Sequence, residues 1–421
     1  MKRPFEDDNV AQFSTETIKD QDSNEGDPHD FPKEEYISRY KRARELMKKS
    51  CLDALMLVGD LTQCTNYRYF SGHLVRGGKN TNSARPNIMV LPATGDPALI
   101  VWDWIKDEAE RASWIKDIRT WTMPFSFKAI EFVLRDMGLA NAKIGAELGL
   151  ETRMMMPFEE FDKLRRRLKK VKFVDASDII WKLRMKKSKT EIARLRKACE
   201  IQGRAYARLF DTIREGMTEG SIARKLFHYM IEEGADKTGR IGCVTVKTGK
   251  KWPDFLIYDR GERVLKRGDL IWIDGGSWFK GYMSDIARVG VIGKPSNSQK
   301  KRHDLALKLI EKTIELIKPG VKVSDVTKAA IDFFKTLEVD SSNFPVFLPP
   351  VLRHIGHGIG LETIERPYIR MDNQMILEPG MTLAVEITKL TMYHIEQDIV
   401  VTEDGCDLLS IEPDTQLHIC G

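Results

Sequence analysis

Apolar positions in this chain recur first at helical spacing and then in short compact runs, beginning near residue 33. Tyr36, Tyr40, Ala43 and Met47 fall on one helical face, and the run 52–58, closed by Gly59-Asp60, predicts a buried strand after that helix. The runs 87–92 and 97–102 flank Ala93-Thr94-Gly95-Asp96 and predict a hairpin, and 142–148 and 171–174 add two more strands with helical segments between. Residues 33–175 therefore read as an α/β domain.

Residues 176–187, with Trp181, Met185 and the bases Lys182, Arg184, Lys186 and Lys187, read as a connector. Ser188-Lys189-Thr190-Glu191 then has the form of a capping box, because the serine oxygen can take an orphan amide while the glutamate reaches back to the cap. Ile192, Leu195, Cys199, Gln202, Ala205, Tyr206 and Leu209 continue that helix, and a second runs over 218–233 to stop at Gly234. Strand candidates at 241–246 lead into a hairpin over 270–291. The order then repeats: a helix over 298–317 stopped by Pro319-Gly320, a helix capped by Ser324 and running to 337, then strands at 382–388 and 395–402. Two copies of helix, helix and hairpin predict a pseudo-twofold arrangement of two halves, with any site between them drawing on both hairpins.

The first hairpin carries Asp274 and Asp285 on either side of a glycine-rich stretch read as its turn. Two such carboxylates in a core repel unless a cation sits between them, whereas at a surface they would be ordinary turn residues. The second hairpin changes the balance. Glu386 and Glu396 lie among aliphatic strand residues, where an unpaired carboxylate costs several kcal/mol, about 3–5 where a partner has been lost. His357 sits in Gly-His-Gly, where flanking glycines allow close approach. Four carboxylates and one imidazole balance two divalent cations, and an oxygen-rich set with one imidazole suits manganese, cobalt, iron or zinc.

Composition adds exclusions. The 67 basic and 62 acidic residues leave a formal charge of +5, a mixed surface that does not call for nucleic acid, and the densest basic run, 163–170, has leucines at helical spacing and reads as a solvated helix face. The six cysteines show neither close pairing nor zinc-finger spacing, which predicts free thiols in a reducing compartment. Neither a membrane-spanning run nor the apolar core of a signal peptide is evident, so a cytoplasmic location is expected. Residues 1–32 are acidic and poor in core formers and are expected to be a disordered tail.

Asp274 with Asp285, Gly356-His357-Gly358-Ile359-Gly360-Leu361, Pro379-Gly380-Met381-Thr382 leading to Glu386, and Glu396 leading to 400–405 resemble the pita-bread metallopeptidases and their creatinase and prolidase relatives. The run 52–59 with Asn66-Tyr67-Arg68-Tyr69-Phe70-Ser71-Gly72 is similar to the creatinase-type N-terminal domain. The resemblance implies an α/β (α+β) chain with a creatinase-type domain over 33–175 and a pita-bread catalytic domain over 188–421. It implies metal ligation by Asp274, Asp285, His357, Glu386 and Glu396, a bridging water or hydroxide aimed at a carbonyl, and a homodimer. By the same resemblance, peptidase histidines are altered here: the early one falls on or beside Ile257, the one before Gly-His-Gly on Arg353 with His354 adjacent, and the one before Glu-x-Pro on Ile364.

An isoleucine can neither donate to an oxyanion nor carry a proton. The expected activity is hydrolysis of a C–N bond in a dipeptide or small amide-like substrate. Glu365, Glu386 and His354 are expected to act in catalysis, and Arg353 to pair with a substrate carboxylate. A lyase on the same metal scaffold, or a binding protein on a retired peptidase fold, are the alternatives.

Overall fold

A computed structural model describes residues 30–60, 63–74, 85–150, 152–246, 261, 263–337, 354–387, 393–410 and 415–421. The N-terminal part comprises α1 (Lys33–Lys49), β1 (Ala54–Gly59), α2 (Thr65–Ser71), β2 (Asn87–Pro92), β3 (Ala98–Trp102), α3 (Lys106–Ala112), β4 (Asp117–Trp121), α4 (Lys128–Asp136), β5 (Lys143–Ala146), α5 (Phe158–Arg167), β6 (Lys172–Asp175) and α6 (Ser177–Met185). Its six-stranded sheet has the order β4-β3-β2-β1-β5-β6, with β1 antiparallel to β2 and parallel to β5. Every residue of β1 is buried because helices cover both faces. Leu55 and Leu57 share a core with Tyr40, Met47, Ile179 and Leu183, while Ala54, Met56 and Val58 share another with Ile130, Leu134, Phe161 and Leu164.

Residues 176–187, read as a connector, thus contain a helix whose apolar face belongs to the N-terminal core. Residues 30–32, expected to lie in a disordered acidic tail, are packed against the fold. Phe31 is buried edge-on to Tyr36 and Tyr282 under the Arg194 guanidinium, and Asp30 accepts from Arg68 and Arg194. Aromatic burial and two charge-assisted bonds order residues 30–32.

The C-terminal part comprises α7 (Lys189–Thr212), α8 (Glu219–Glu232), β7 (Lys237–Val246), β8 (Leu270–Phe279), β9 (Tyr282–Met283), β10 (Ile286–Ile292), α9 (Asn297–Glu315), α10 (Val323–Thr336), β11 (Gly356–Gly358), β12 (Thr382–Val385), β13 (Gln397–Val401), β14 (Cys406–Leu408) and β15 (His418–Cys420). One sheet runs β15-β10-β8-β7 with β9 paired to β8, and the other runs β11-β12-β13-β14. The helix, helix, hairpin order recurs as the repeat predicts. The core beneath α7 and α8 holds Ile271 and Ile273, and the core beneath α9 and α10 holds Leu270, Trp272, Val289 and Val291, so β8 is clamped between the helix pairs.

The capping box at Ser188 is present: its hydroxyl accepts from the Glu191 amide at 3.2 Å, and Glu191 accepts from the Ser188 amide at 2.7 Å. Glu191 also accepts from the Tyr282 hydroxyl at 2.7 Å, tying the helix start to the first hairpin. Ser324, expected as a cap, lies inside α10, whose N-cap is Lys322. Its opening amides are satisfied by tertiary contacts instead, Val323 donating to the Met375 carbonyl and Ser324 to the Asn373 carbonyl, both at 2.9 Å. Among the described residues, no helix is long and apolar enough to cross a membrane.

Candidate metal centre

Strand register gathers the acids. Asp274 opposes Ala287, and an isolated bridge sets Ala287 against Glu396, so one line of residues crosses from β8 through β10 to the start of β13. Residues directly opposed across a ladder share a face, and so do residues two apart along a strand. Asp285, two before Ala287, therefore joins Asp274 and Glu396. In the other sheet His357 opposes Ala384, which opposes Asp398. Glu386, two beyond Ala384, continues that face.

The hairpin differs from its sequence reading in one respect. Gly275 and Gly276 lie within β8, and the turn falls at Lys280-Gly281, both with positive φ (46° and 87°). Gly276 has a different purpose: a Cβ there would stand 2.1 Å from the Ser284 carbonyl oxygen. The missing side chain lets the two strands close up beside Asp285.

His357 Nε2 lies 3.8 Å from Asp285 Oδ2 and 3.9 Å from Glu396 Oε1. His357 Nδ1 lies 3.0 Å from the Gly358 carbonyl, which can only accept. Nδ1 therefore donates to that carbonyl, which leaves Nε2 as the nitrogen that faces the carboxylates, the orientation a metal-binding imidazole needs. Across Glu396 a second group forms: His394 Nε2 is 3.4 Å from Asp274 Oδ2 and 3.5 Å from Glu396 Oε2. Asp285–His357–Glu396 and Asp274–His394–Glu396 each bring their ligand atoms within 4.8 Å of one another. Glu396 belongs to both, with one oxygen toward each.

Burial drives the Asp285 carboxyl well above the ordinary carboxylate range, and the neighbouring Glu396, Asp274, Asp398 and Glu386 push it further the same way. Such a cluster fits a bound cation, which replaces mutual repulsion with attraction at every oxygen. Glu386 is buried at the end of β12, and its Oε1 lies 3.1 Å from Nδ1 of the half-buried His354. The His354 ring packs edge-on to His357 and beside Tyr368, each at 5.6 Å.

Two residues here lay outside the sequence reading, and both follow from the alternation of Glu396. His394 and Asp398 stand two residues to either side, so a period of two along the strand could have found them. Asp398 accepts from the Asp285 amide at 2.8 Å and from the Cys199 thiol at 3.3 Å, and burial pushes its carboxyl up to about 7. It fixes the backbone that carries Asp285.

Glu365 is a correction. Expected to move protons, it is fully buried and accepts from Arg184, from Lys187 at 3.0 Å and from the Leu361 and Glu362 amides. Burial raises its pKa, but Arg184 and Lys187 overcome that and hold it down at about 2, too low for a base near neutrality. Its position anchors the 361–366 loop rather than the chemistry. Arg353 and Ile257 lie outside the described residues. Of the aromatics near the hairpin, Tyr282 is buried, and Trp278 lies under the Lys237 ammonium at 4.3 Å.

Between the N-terminal and C-terminal parts lies a cavity of about 530 Å³, lined by Gln63, Asn66, Glu147, Arg184, Ile364 and Tyr368 among others. Tyr368 connects it to His354 and so to the acid cluster. Burial pushes the Glu147 carboxyl from its ordinary 4.5 up to about 7, against the hydrogen bond from Asn66. A raised carboxyl pKa costs stability as pH climbs from the unfolded value to the folded one, and the cost is complete above about 7. Glu147→Gln is therefore expected to match the parent near pH 4.5 and exceed it by roughly 2–4 kcal/mol at pH 8, as read by denaturant titration at both values. Equal gaps at the two pH values would refute it.

Residues 193–403 match the model of metallopeptidase family M24, and residues 39–186 match that of the creatinase/prolidase N-terminal domain. The chain is similar to an Xaa-Pro dipeptidase of Pyrococcus furiosus, 30% identical over 62% of this chain and 73% of the relative. It is also similar to one of Pyrococcus horikoshii, 27% identical over 88% of this chain and 96% of the relative. Among solved structures, an X-Pro aminopeptidase of Thermotoga maritima superposes with a TM-score of 0.72 at 25% identity, covering 90% of this chain and 99% of the other.

Proposed function

This chain belongs to metallopeptidase family M24, a family of hydrolases that use divalent metal ions, and we propose that it cleaves the C–N bond of a dipeptide or dipeptide-sized amide at a centre of two divalent cations. The observation that carries this reading is the gathering of buried carboxylates around one imidazole: Asp285 beside Asp274, Glu386 and Glu396, with His357 Nε2 facing Asp285 and Glu396. Asp274, Asp285, His357, Glu386 and Glu396 would hold the cations. When bound, these supply Lewis acidity for the scissile carbonyl and lower the pKa of the attacking water.

The rest falls to the protein. Glu386 accepts the proton of that water and returns it to the departing nitrogen, and His354, 3.1 Å away and reached by solvent, exchanges protons with it. The interdomain cavity admits the substrate past Tyr368. Glu386→Gln is expected to lower turnover about 10²–10⁴-fold. Turnover per bound metal, with metal content measured on the same sample, should fall as well, because the variant loses its proton acceptor entirely; turnover that falls only in step with metal content would leave Glu386 a ligand alone.

Ile364, half-exposed on the cavity wall, favours a second reading in which the substrate is an amide other than an Xaa-Pro dipeptide. Metal-reconstituted protein should be offered Xaa-Pro dipeptides beside small amides and amidines, in water enriched in heavy oxygen. Amine release with label in the acid product is the expected result. An unsaturated, unlabelled product would establish elimination, and absence of turnover on every substrate would overturn the reading. The five described cysteines are free thiols, in keeping with action in a reducing cytoplasm. A homodimer is expected, to be tested by sedimentation.

A further inference from the structure

We infer that His394 is itself a metal ligand, so that each of the two cations receives one imidazole. The inference rests on the two-cation reading above and goes beyond the five ligands named there. His394 is fully buried and held edge-on to Trp272, with ring centroids 5.2 Å apart and planes at 86°. Its Nε2 stands 3.4 Å from Asp274 Oδ2 and 3.5 Å from Glu396 Oε2. Those separations are long for hydrogen bonds, which cluster at about 2.9–3.0 Å. They suit neighbouring ligands of one cation: bonds of about 2.0–2.2 Å meeting at 90–110° place donor atoms roughly 3.0–3.5 Å apart.

The arrangement mirrors the other half of the site. His357 Nε2 faces Asp285 and the first oxygen of Glu396, and His394 Nε2 faces Asp274 and the second. Glu396 and His394 reach the site together because they are two residues apart on one extended segment. A nitrogen donor on both sides moves the centre away from an all-oxygen environment. It therefore favours zinc, cobalt(II) or iron(II) over manganese at the Asp274 position.

The test is X-ray absorption on the full chain loaded with zinc, where outer-shell scattering counts imidazoles per metal, together with metal analysis of the same sample. Two ions with an average of one imidazole each is the expected result. Two ions sharing a single imidazole would overturn the inference and leave the two-cation reading intact, whereas a chain retaining no divalent ion would overturn both. His394→Leu provides the complementary measurement by calorimetric zinc titration, with circular dichroism to check the fold. One of two binding steps should weaken by at least about 100-fold while the other stays unchanged, a loss at or above the upper end of that seen for partners outside the ligand sphere. Two unchanged steps would refute the assignment. A variant that does not fold leaves the imidazole count of the parent to decide.

Discussion

Asp285→Asn is expected to lower hydrolytic turnover by more than about 10³-fold, beyond the 10–100-fold typical of residues that only support metal ligands. The same substitution should leave the metal-free protein at least as stable as the parent. These opposite signs have one cause. Without a cation Asp285 is a buried carboxyl beside Glu396, Asp274, Asp398 and Glu386, and a neutral amide of the same shape removes that repulsion. With a cation the carboxylate becomes an attractive partner, which the amide cannot replace. Thermal unfolding in a chelator and in excess zinc or manganese separates the two. Metal at about 100 times its Kd should stabilise the parent by roughly 2.7 kcal/mol, and the variant by much less. A variant that bound two ions with parental affinity would remove Asp285 from the ligand set and sink the account of the centre.

The parts of this molecule that were legible in the sequence are those decided locally. An unbroken apolar run made β1 a strand covered on both faces, and the serine–glutamate spacing at Ser188 fixed the start of α7 to the residue. Asp274 and Asp285 could be named as an acid pair flanking a glycine-rich stretch, Glu386 and Glu396 because a carboxylate among aliphatic strand residues needs a partner, and His357 because flanking glycines allow close approach. What the sequence does not carry is register. That Asp274, Ala287 and Glu396 form one line across two sheets depends on how strands far apart in the chain are paired. Without that line, His394 is only a histidine beside a glutamate. Glu365 was misread for the same reason. The cations that lower its pKa, Arg184 and Lys187, precede it by 181 and 178 residues, so nothing nearby distinguishes an anchored carboxylate from a proton carrier. Phe31 and Ser324 repeat the lesson on a smaller scale, since a lone aromatic in a polar tail and a serine near a helix start are both settled by distant partners.

Arg184→Met should produce the largest loss of stability, about 3–5 kcal/mol, because it removes one partner of a buried ion pair and leaves the other charged. Arg184 is almost wholly buried on α6 and donates to Asn66 at 2.8 Å, to Glu362 at 2.9 Å and to Glu365. Deleting it leaves Glu365 with Lys187, 3.0 Å away, as its one remaining cation among the described residues. The pH dependence follows in sign. A carboxylate held down at about 2 contributes stability that is complete above the ordinary range and lost as pH falls through 2. The variant should shed that contribution at a higher pH, so its acid unfolding begins earlier. Glu365→Gln in the Arg184→Met background removes the stranded charge and should recover much of the loss, giving a coupling energy well above the roughly 0.3–0.5 kcal/mol scatter of independent sites. Additive losses would show that the two act separately. Because the Glu365 amide and carbonyl pair with Gly358, next to His357, the same cycle tests whether the N-terminal part helps hold the metal centre. Zinc affinity should fall in Arg184→Met and recover with stability in the double variant.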